Sequence, residues 1–285
     1  VNGENLRTNR LTPLHVVLFL LTCTTTLFAG AIQEGVVPWQ DPAGLVKGIP
    51  FSVSLMTILL CHEMGHYLMS RKHGTPATLP YFIPAPSFIG TFGALIKMKP
   101  PIVHRRALLD IGSAGPLAGF VVAVAAIIIG LPLSEIHPPT GLPPGGITLG
   151  DSLVFRILAE LLLGVGPDDA EILLHPIAFA GWIGLFVTSL NLIPVGQLDG
   201  GHIVFALFPE FHSLVSKLSI PLLIMMGLFY WPGWALWGVL MVVLGTGHPP
   251  VVLPYVELDT TRRRTGWLSL AVFVLTFTPT PFSGY

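Results

Sequence analysis

The chain has 285 residues, 52% of them hydrophobic and 10% charged, and its mean hydropathy is +0.75. That is too apolar for a water-soluble domain of this length and places the chain in a membrane. A net charge of -1 gives no global basic field, which argues against nucleic acid as a partner. The two cysteines, Cys23 and Cys61, both fall in apolar runs, which argues against a disulfide framework or a four-cysteine metal site.

Crossing a bilayer as a helix takes about 20 mostly apolar residues, because in hydrocarbon only intrahelical hydrogen bonds satisfy the backbone. Seven stretches qualify: 13–31, 49–69, 108–132, 177–208 with an interruption, 213–230, 232–246 and 266–280. The first is too long for a cleaved signal core and lacks a small-residue cleavage site, so it is expected to stay as an anchor. After the second, the connection 74–101 is predicted to be partly extended. Thr91, Gly93, Leu95, Lys97 and Lys99 alternate there with Phe92, Ala94, Ile96 and Met98, a period of two. The connection 133–176 is rich in Pro and Gly and offers 151–164 as a short surface or re-entrant helix. Phe229, Tyr230, Trp231, Trp234 and Trp237 around Pro232 and Gly233 predict a tight turn at a water interface. Pro249 and Pro250, following His248, end the sixth helix. The fold class expected is an all-α polytopic membrane protein of about seven transmembrane helices, with a small extended or hairpin segment. It divides into an N-terminal segment with the first helix (1–48), a core (49–208) and C-terminal helices (209–285), with neither an internal repeat nor a separate soluble domain.

Charge supports this path. With the N-terminus in the cytoplasm and sides alternating, Arg7, Arg10, Arg71, Lys72, Lys97, Lys99, Arg105, Arg106, Lys217, Arg262, Arg263 and Arg264 fall inside. These are 12 of the 14 basic residues, and only Lys47 and Arg156 fall outside, as the positive-inside rule requires. The outer connections carry Glu34, Asp41, Glu135, Asp168, Asp169 and Glu171. The expected location is therefore integral, multi-pass and in the cell membrane. Arg262 to Arg264 are read as a topology anchor facing anionic lipid, and His73 and His104 as interfacial residues.

The chemistry concentrates in two places. At the inner end of the second helix stands CHEMGHY, where His62 and His66 are four residues apart and project from one face, about 40° apart in rotation. Two such imidazoles can share a metal, with Glu63 beside it to deprotonate a bound water. Ionisable groups within a spanning helix are expensive and are expected to serve a function. A catalytic zinc needs a third protein ligand. Asp199 is the best candidate, in NLIPVGQLDGGH, where Pro194, Gly196, Gly200 and Gly201 break a helix at membrane depth; His202 is the rival. Unwound backbone is tolerated there only where it lines an enclosed or watery cavity. Gly112, Ser113, Ala114, Gly115, Ala118 and Gly119 form a surface without bulky side chains, expected to pack against the metal-bearing helices.

HEMGH on one helix, LDGG on a later one and GSAGPLAGF between them resemble the site-2 protease family over roughly residues 49–208. The resemblance implies a zinc-dependent intramembrane protease with one Zn2+ held by His62, His66 and Asp199, Glu63 as acid/base, and Asn191 holding substrate main chain. It extends to GTFGALIKM, a strand near the active site whose Gly93 and Ala94 would pair with an extended substrate. The expected partners are single-pass transmembrane protein substrates and the lipid bilayer. A membrane metal-ion transporter, or a non-catalytic binder of membrane helices, is the alternative.

Overall fold

The computed structural model describes residues 11–98, 104–138, 148–166, 170–248, 251–253 and 255–283. Arg7, Arg10, Lys99, Asp168, Asp169, Pro249 and Pro250, assigned above to faces, loops or a helix end, lie outside the described residues. The protein is mostly helical with small strand pairs. Helix α1 spans Pro13–Gln33, α2 Ile49–Lys72 after a 3-10 turn Pro42–Gly48, and α3 Arg105–Gly130. Helix α4 spans Leu153–Leu163, α5 Pro176–Asn191, α6 Asp199–Leu207, α7 Pro209–Phe229, α8 Gly233–Leu244 and α9 Thr260–Thr276.

Local chemistry sets these boundaries. Pro sits in the first turn of α1, α2, α5 and α7, where its missing N–H costs nothing. Helix α4 opens on Ser152, whose hydroxyl accepts from the Phe155 N–H, and closes on Gly164 in the left-handed region at φ 70°. It buries Phe155 and Ala159 against the bundle while Leu153, Ile157 and Leu161 stay exposed, an apolar outer face suited to lipid.

Four described segments are long and apolar enough to cross a membrane: α1, Pro42–Lys72, Arg105–Leu133 and α7. Helices α5 and α8, of 16 and 12 residues, are shorter. At 1.5 Å per residue α8 is about 18 Å long, well short of a hydrocarbon core of about 30 Å. Apolar side chains such as Leu20, Val53, Val121 and Leu222 point outward, the arrangement of a protein solvated by lipid.

Helices α2, α3 and α5 form the centre, and α1, α6 and α9 pack around them. Phe51, Leu55 and Ile58 of α2, Ala123 and Ile127 of α3 and Ile183 of α5 share one buried cluster. The helices approach closely because Gly181 and Gly184 of α5 face α3: a Cβ on Gly181 would stand 2.7 Å from Ile127 Cγ1, and one on Gly184 2.9 Å from Ala123 Cβ.

The strand pairs sit at the ends of this bundle. Strand β1 (Tyr81–Pro84) pairs antiparallel with β2 (Thr91–Leu95), so the extended segment read from the alternation is the second arm of a hairpin. Strand β3 (Glu135–His137) pairs with β5 (Glu171–Leu173), and β4 (Thr148–Leu149) with β6 (Phe282–Ser283). The turn at Pro232 and Gly233 joins α7 to α8, with Phe229 and Tyr230 exposed. Trp234 departs from the interfacial reading: it is fully buried and donates its Nε1–H to the Pro279 carbonyl at 2.7 Å. Arg262 also departs from its reading as a lipid-facing anchor. It pairs with Asp110 at 2.8 Å, and Asp110 in turn contacts His73 Nε2 at 2.8 Å, which ties the start of α9 to α3 and α2. The Arg262 N–H and guanidinium hold the Asp259 carboxyl at the α9 N-cap below the usual carboxylate range.

Candidate metal centre

Helix α2 carries His62, Glu63 and His66 into the interior, where they are 4%, 6% and 6% exposed. Room for the imidazoles comes from α3. A Cβ on Gly115 would run into the His66 ring, one on Gly119 would stand 3.1 Å from His62 Nδ1, and one on Gly112 3.1 Å from His202 Cβ. The stripe without bulky side chains is thus the groove that accommodates the two histidines.

The third side chain arrives through the broken helix. Helix α5 ends at Asn191, Pro194 has no N–H to continue it, and Gly196 turns the chain at φ 53°. Helix α6 then starts at Asp199. Gly200 lies so close to the Leu192 carbonyl, and Gly201 to the Gly196 carbonyl, that any side chain would collide with main chain. The two glycines of LDGG therefore seat α6 against the preceding turn and aim Asp199 at α2. At its far end α6 is braced by Arg105, whose Nε and Nη2 donate to the Ala206 carbonyl at 3.0 and 2.6 Å.

His62, His66 and Asp199 each offer a ligand atom, and these atoms lie within 4.8 Å of one another. His62 Nε2 and His66 Nε2 are 3.1 Å apart, and Asp199 Oδ2 stands 3.5 Å from the first and 3.2 Å from the second. Two ligands about 2.0–2.1 Å from a tetrahedral ion are separated by about 3.3–3.4 Å, so the triangle has the edge lengths of one face of such a site. The second shell fits as well. His66 Nδ1 is 2.8 Å from the Ile111 carbonyl, so Nδ1–H donates there and the Nε2 lone pair faces the other two ligands. A half-buried carboxylate facing two buried imidazoles favours a cation among them, and two nitrogens with one carboxylate oxygen suit a divalent transition metal.

Of the remaining expected residues, Glu63 and Asn191 lie beside this triangle. Glu63 is outside the three-ligand group, and the backbone of Ile96, just past β2, lies close enough to act on its carboxyl. Asn191 Nδ2 is 3.2 Å from His62 Nε2, so the amide adjoins the metal-facing nitrogen. Gly93 has φ 100° with no atom within 4 Å of its Cβ position, while Ala94 pairs with Phe82. His202, the rival ligand, points elsewhere: its Nδ1 is 2.8 Å from His248 Nε2. His248, Ile111 and Ile96 carry no sequence signal for these contacts, since each reaches the site through backbone or through a loop distant along the chain.

Several known proteins are similar to this chain. The probable zinc metalloprotease EGY1, chloroplastic, of Arabidopsis thaliana is 30% identical over 87% of this chain and 45% of its own length. The probable zinc metalloprotease EGY2, chloroplastic, of Oryza sativa subsp. indica is 31% identical over 86% of this chain and 44% of its own length. The chain therefore spans less than half the length of these relatives. No solved structure matches. The model of Peptidase family M50 matches residues 50–230, a stretch that includes His62, Glu63, His66, Asn191 and Asp199. This chain is an integral membrane protein that belongs to Peptidase family M50.

Proposed function

We propose that the chain is a membrane-embedded zinc endopeptidase that cleaves peptide bonds in or beside transmembrane segments of other membrane proteins. The observation that carries this reading is the triangle of buried His62 and His66 with half-buried Asp199, with 3.1–3.5 Å edges and Glu63 next in sequence to one ligand. Relatives bearing the printed name zinc metalloprotease support zinc as the ion.

His62, His66 and Asp199 would hold the zinc, which would supply a Lewis acid able to bring the pKa of water towards about 7 and to polarise a carbonyl. Glu63, buried beside the triangle, accepts the proton of the attacking water and returns it to the leaving amine. The Asn191 amide, 3.2 Å from His62 Nε2, would donate to the substrate main chain. Strand β2 reaches the site through Ile96 and offers an edge along which an unwound substrate would add as a strand. A helical substrate hides its peptide bonds, so segments containing Gly, Pro or Asn are the preferred targets.

In this reading the chain crosses the bilayer seven times, with α5 and α6 sharing one interrupted crossing and the 12-residue α8 crossing where the bilayer thins around it. The basic residues and the metal centre then lie towards the cytoplasmic side. Cysteine labelling at Trp39 and Lys72 tests that path, since the two positions should react from opposite sides.

The deciding experiment compares wild type with Glu63→Gln for bound zinc and for cleavage of a reporter transmembrane substrate. Stoichiometric zinc in both, with cleavage lost at least 100-fold in the variant, supports the reading. Zinc in both with no cleavage of a panel rich in helix breakers would favour transport or binding instead.

A further inference from the structure

A second concavity, of about 300 Å³, opens where the end of α6 meets the starts of α3 and α9, away from the metal triangle. Its polar lining is Arg105, Arg263 and Glu257, and its apolar wall includes Leu207, Phe208 and Trp267. Phe208 and Trp267 meet edge to face at 5.6 Å, and Gly266 lets α9 approach Leu207 to form that wall.

The charges are unbalanced. Arg105 and Arg263 lie near enough to repel one another, with Glu257 the acid that acts on Arg105. Among the described residues, no carboxylate lies within ion-pair distance of Arg263. Arg106, whose Nε donates to the Glu257 carbonyl at 2.7 Å, adds positive charge alongside. Arg105 is already committed to the Ala206 carbonyl, so Arg263 is the exposed cation that an incoming anion would meet.

Position narrows the class of anion. Trp267 and Leu268 are exposed on the first turns of α9, followed by the apolar surface of Val274. An exposed Trp beside arginines, where α9 passes from its Arg262–Arg264 start to the apolar run after Gly266, marks the headgroup level of a bilayer. A guanidinium matches phosphate oxygens in geometry as well as charge, and the apolar wall suits the glycerol and first methylenes of a lipid.

We propose that this pocket is a binding site for the phosphate of an anionic phospholipid headgroup, held chiefly by Arg263 with Arg105 behind it. The test uses the full chain in nanodiscs containing phosphatidylcholine with or without phosphatidylglycerol. Lipid retained after transfer to detergent is counted by native mass spectrometry. The wild type should retain phosphatidylglycerol. Arg263→Gln should retain about fivefold less, the effect of about one basic residue at a membrane surface. Arg263→Lys should recover part of the loss, and Arg264→Gln, altering an arginine outside the pocket lining, should stay within about twofold of wild type. Millimolar inorganic phosphate should not displace the lipid. Equal retention in Arg263→Gln and wild type would overturn the site. Equal losses in Arg263→Gln and Arg264→Gln would replace it with diffuse surface charge, and displacement by inorganic phosphate would replace the lipid with a free anion.

Discussion

Gly115→Ala isolates the part that α3 plays at the metal centre. The added Cβ would occupy the space of the His66 imidazole, whose Nδ1 is pinned to the Ile111 carbonyl at 2.8 Å. Carbon and nitrogen in contact need about 3.5 Å or more, so the ring must move by more than about 1 Å. Metal sites tolerate about 0.2 Å in a ligand distance, and loss of one second-shell partner alone weakens affinity about 10–100-fold. Zinc affinity should therefore fall at least about 100-fold. Gly119→Ala is the internal control, because its Cβ would stand 3.1 Å from His62 Nδ1 and requires a shift of only a few tenths of an ångström. It should cost about tenfold or less. Zinc would be measured by competition with a chromophoric chelator, with helix content monitored to separate misfolding from ligand displacement. Wild-type affinity in Gly115→Ala, or a greater loss in Gly119→Ala, would refute the idea that α3 positions these imidazoles.

Further expectations follow from other contacts. Asp199→Ala should abolish stoichiometric zinc, whereas His202→Ala should retain it, because His202 faces His248; metal analysis of both proteins checks this. Stripping zinc with a chelator should lower the melting temperature. Zinc at about 100 times its Kd should restore about 2.7 kcal/mol, readable by thermal melting in detergent. Arg262→Ala removes the charge-assisted bonds to Asp110 and should cost about 1–2 kcal/mol, while Arg264→Ala should stay within about 0.5 kcal/mol. Trp234→Phe leaves the Pro279 carbonyl without its donor at a fully buried position and should cost about 1–3 kcal/mol in the same assay.

The glycines of LDGG show how far local pattern reaches. Pro194, Gly196, Gly200 and Gly201 mark an interruption, and the structure breaks the helix between Asn191 and Asp199. Their individual tasks, Gly196 turning and Gly200 and Gly201 lying on main chain, depend on coordinates that no residue spacing supplies. Trp234 and Arg262 illustrate the opposite case. Their residue types favour an interface and a lipid surface, but the Pro279 carbonyl and Asp110 offer better partners, and these come from segments distant in sequence.

The sequence by itself determined the membrane class, the long apolar helices, the shared face of His62 and His66, and the break before Asp199. Each follows from composition or from a period within a single helix. Only the tertiary structure decided that Asp199 joins the two histidines while His202 turns to His248, that Gly115 accommodates His66, and that Ile96 reaches Glu63. Those outcomes depend on how closely and at what rotation α2, α3 and α6 pack. That is fixed by side-chain volumes on facing surfaces, and a one-dimensional pattern does not contain it.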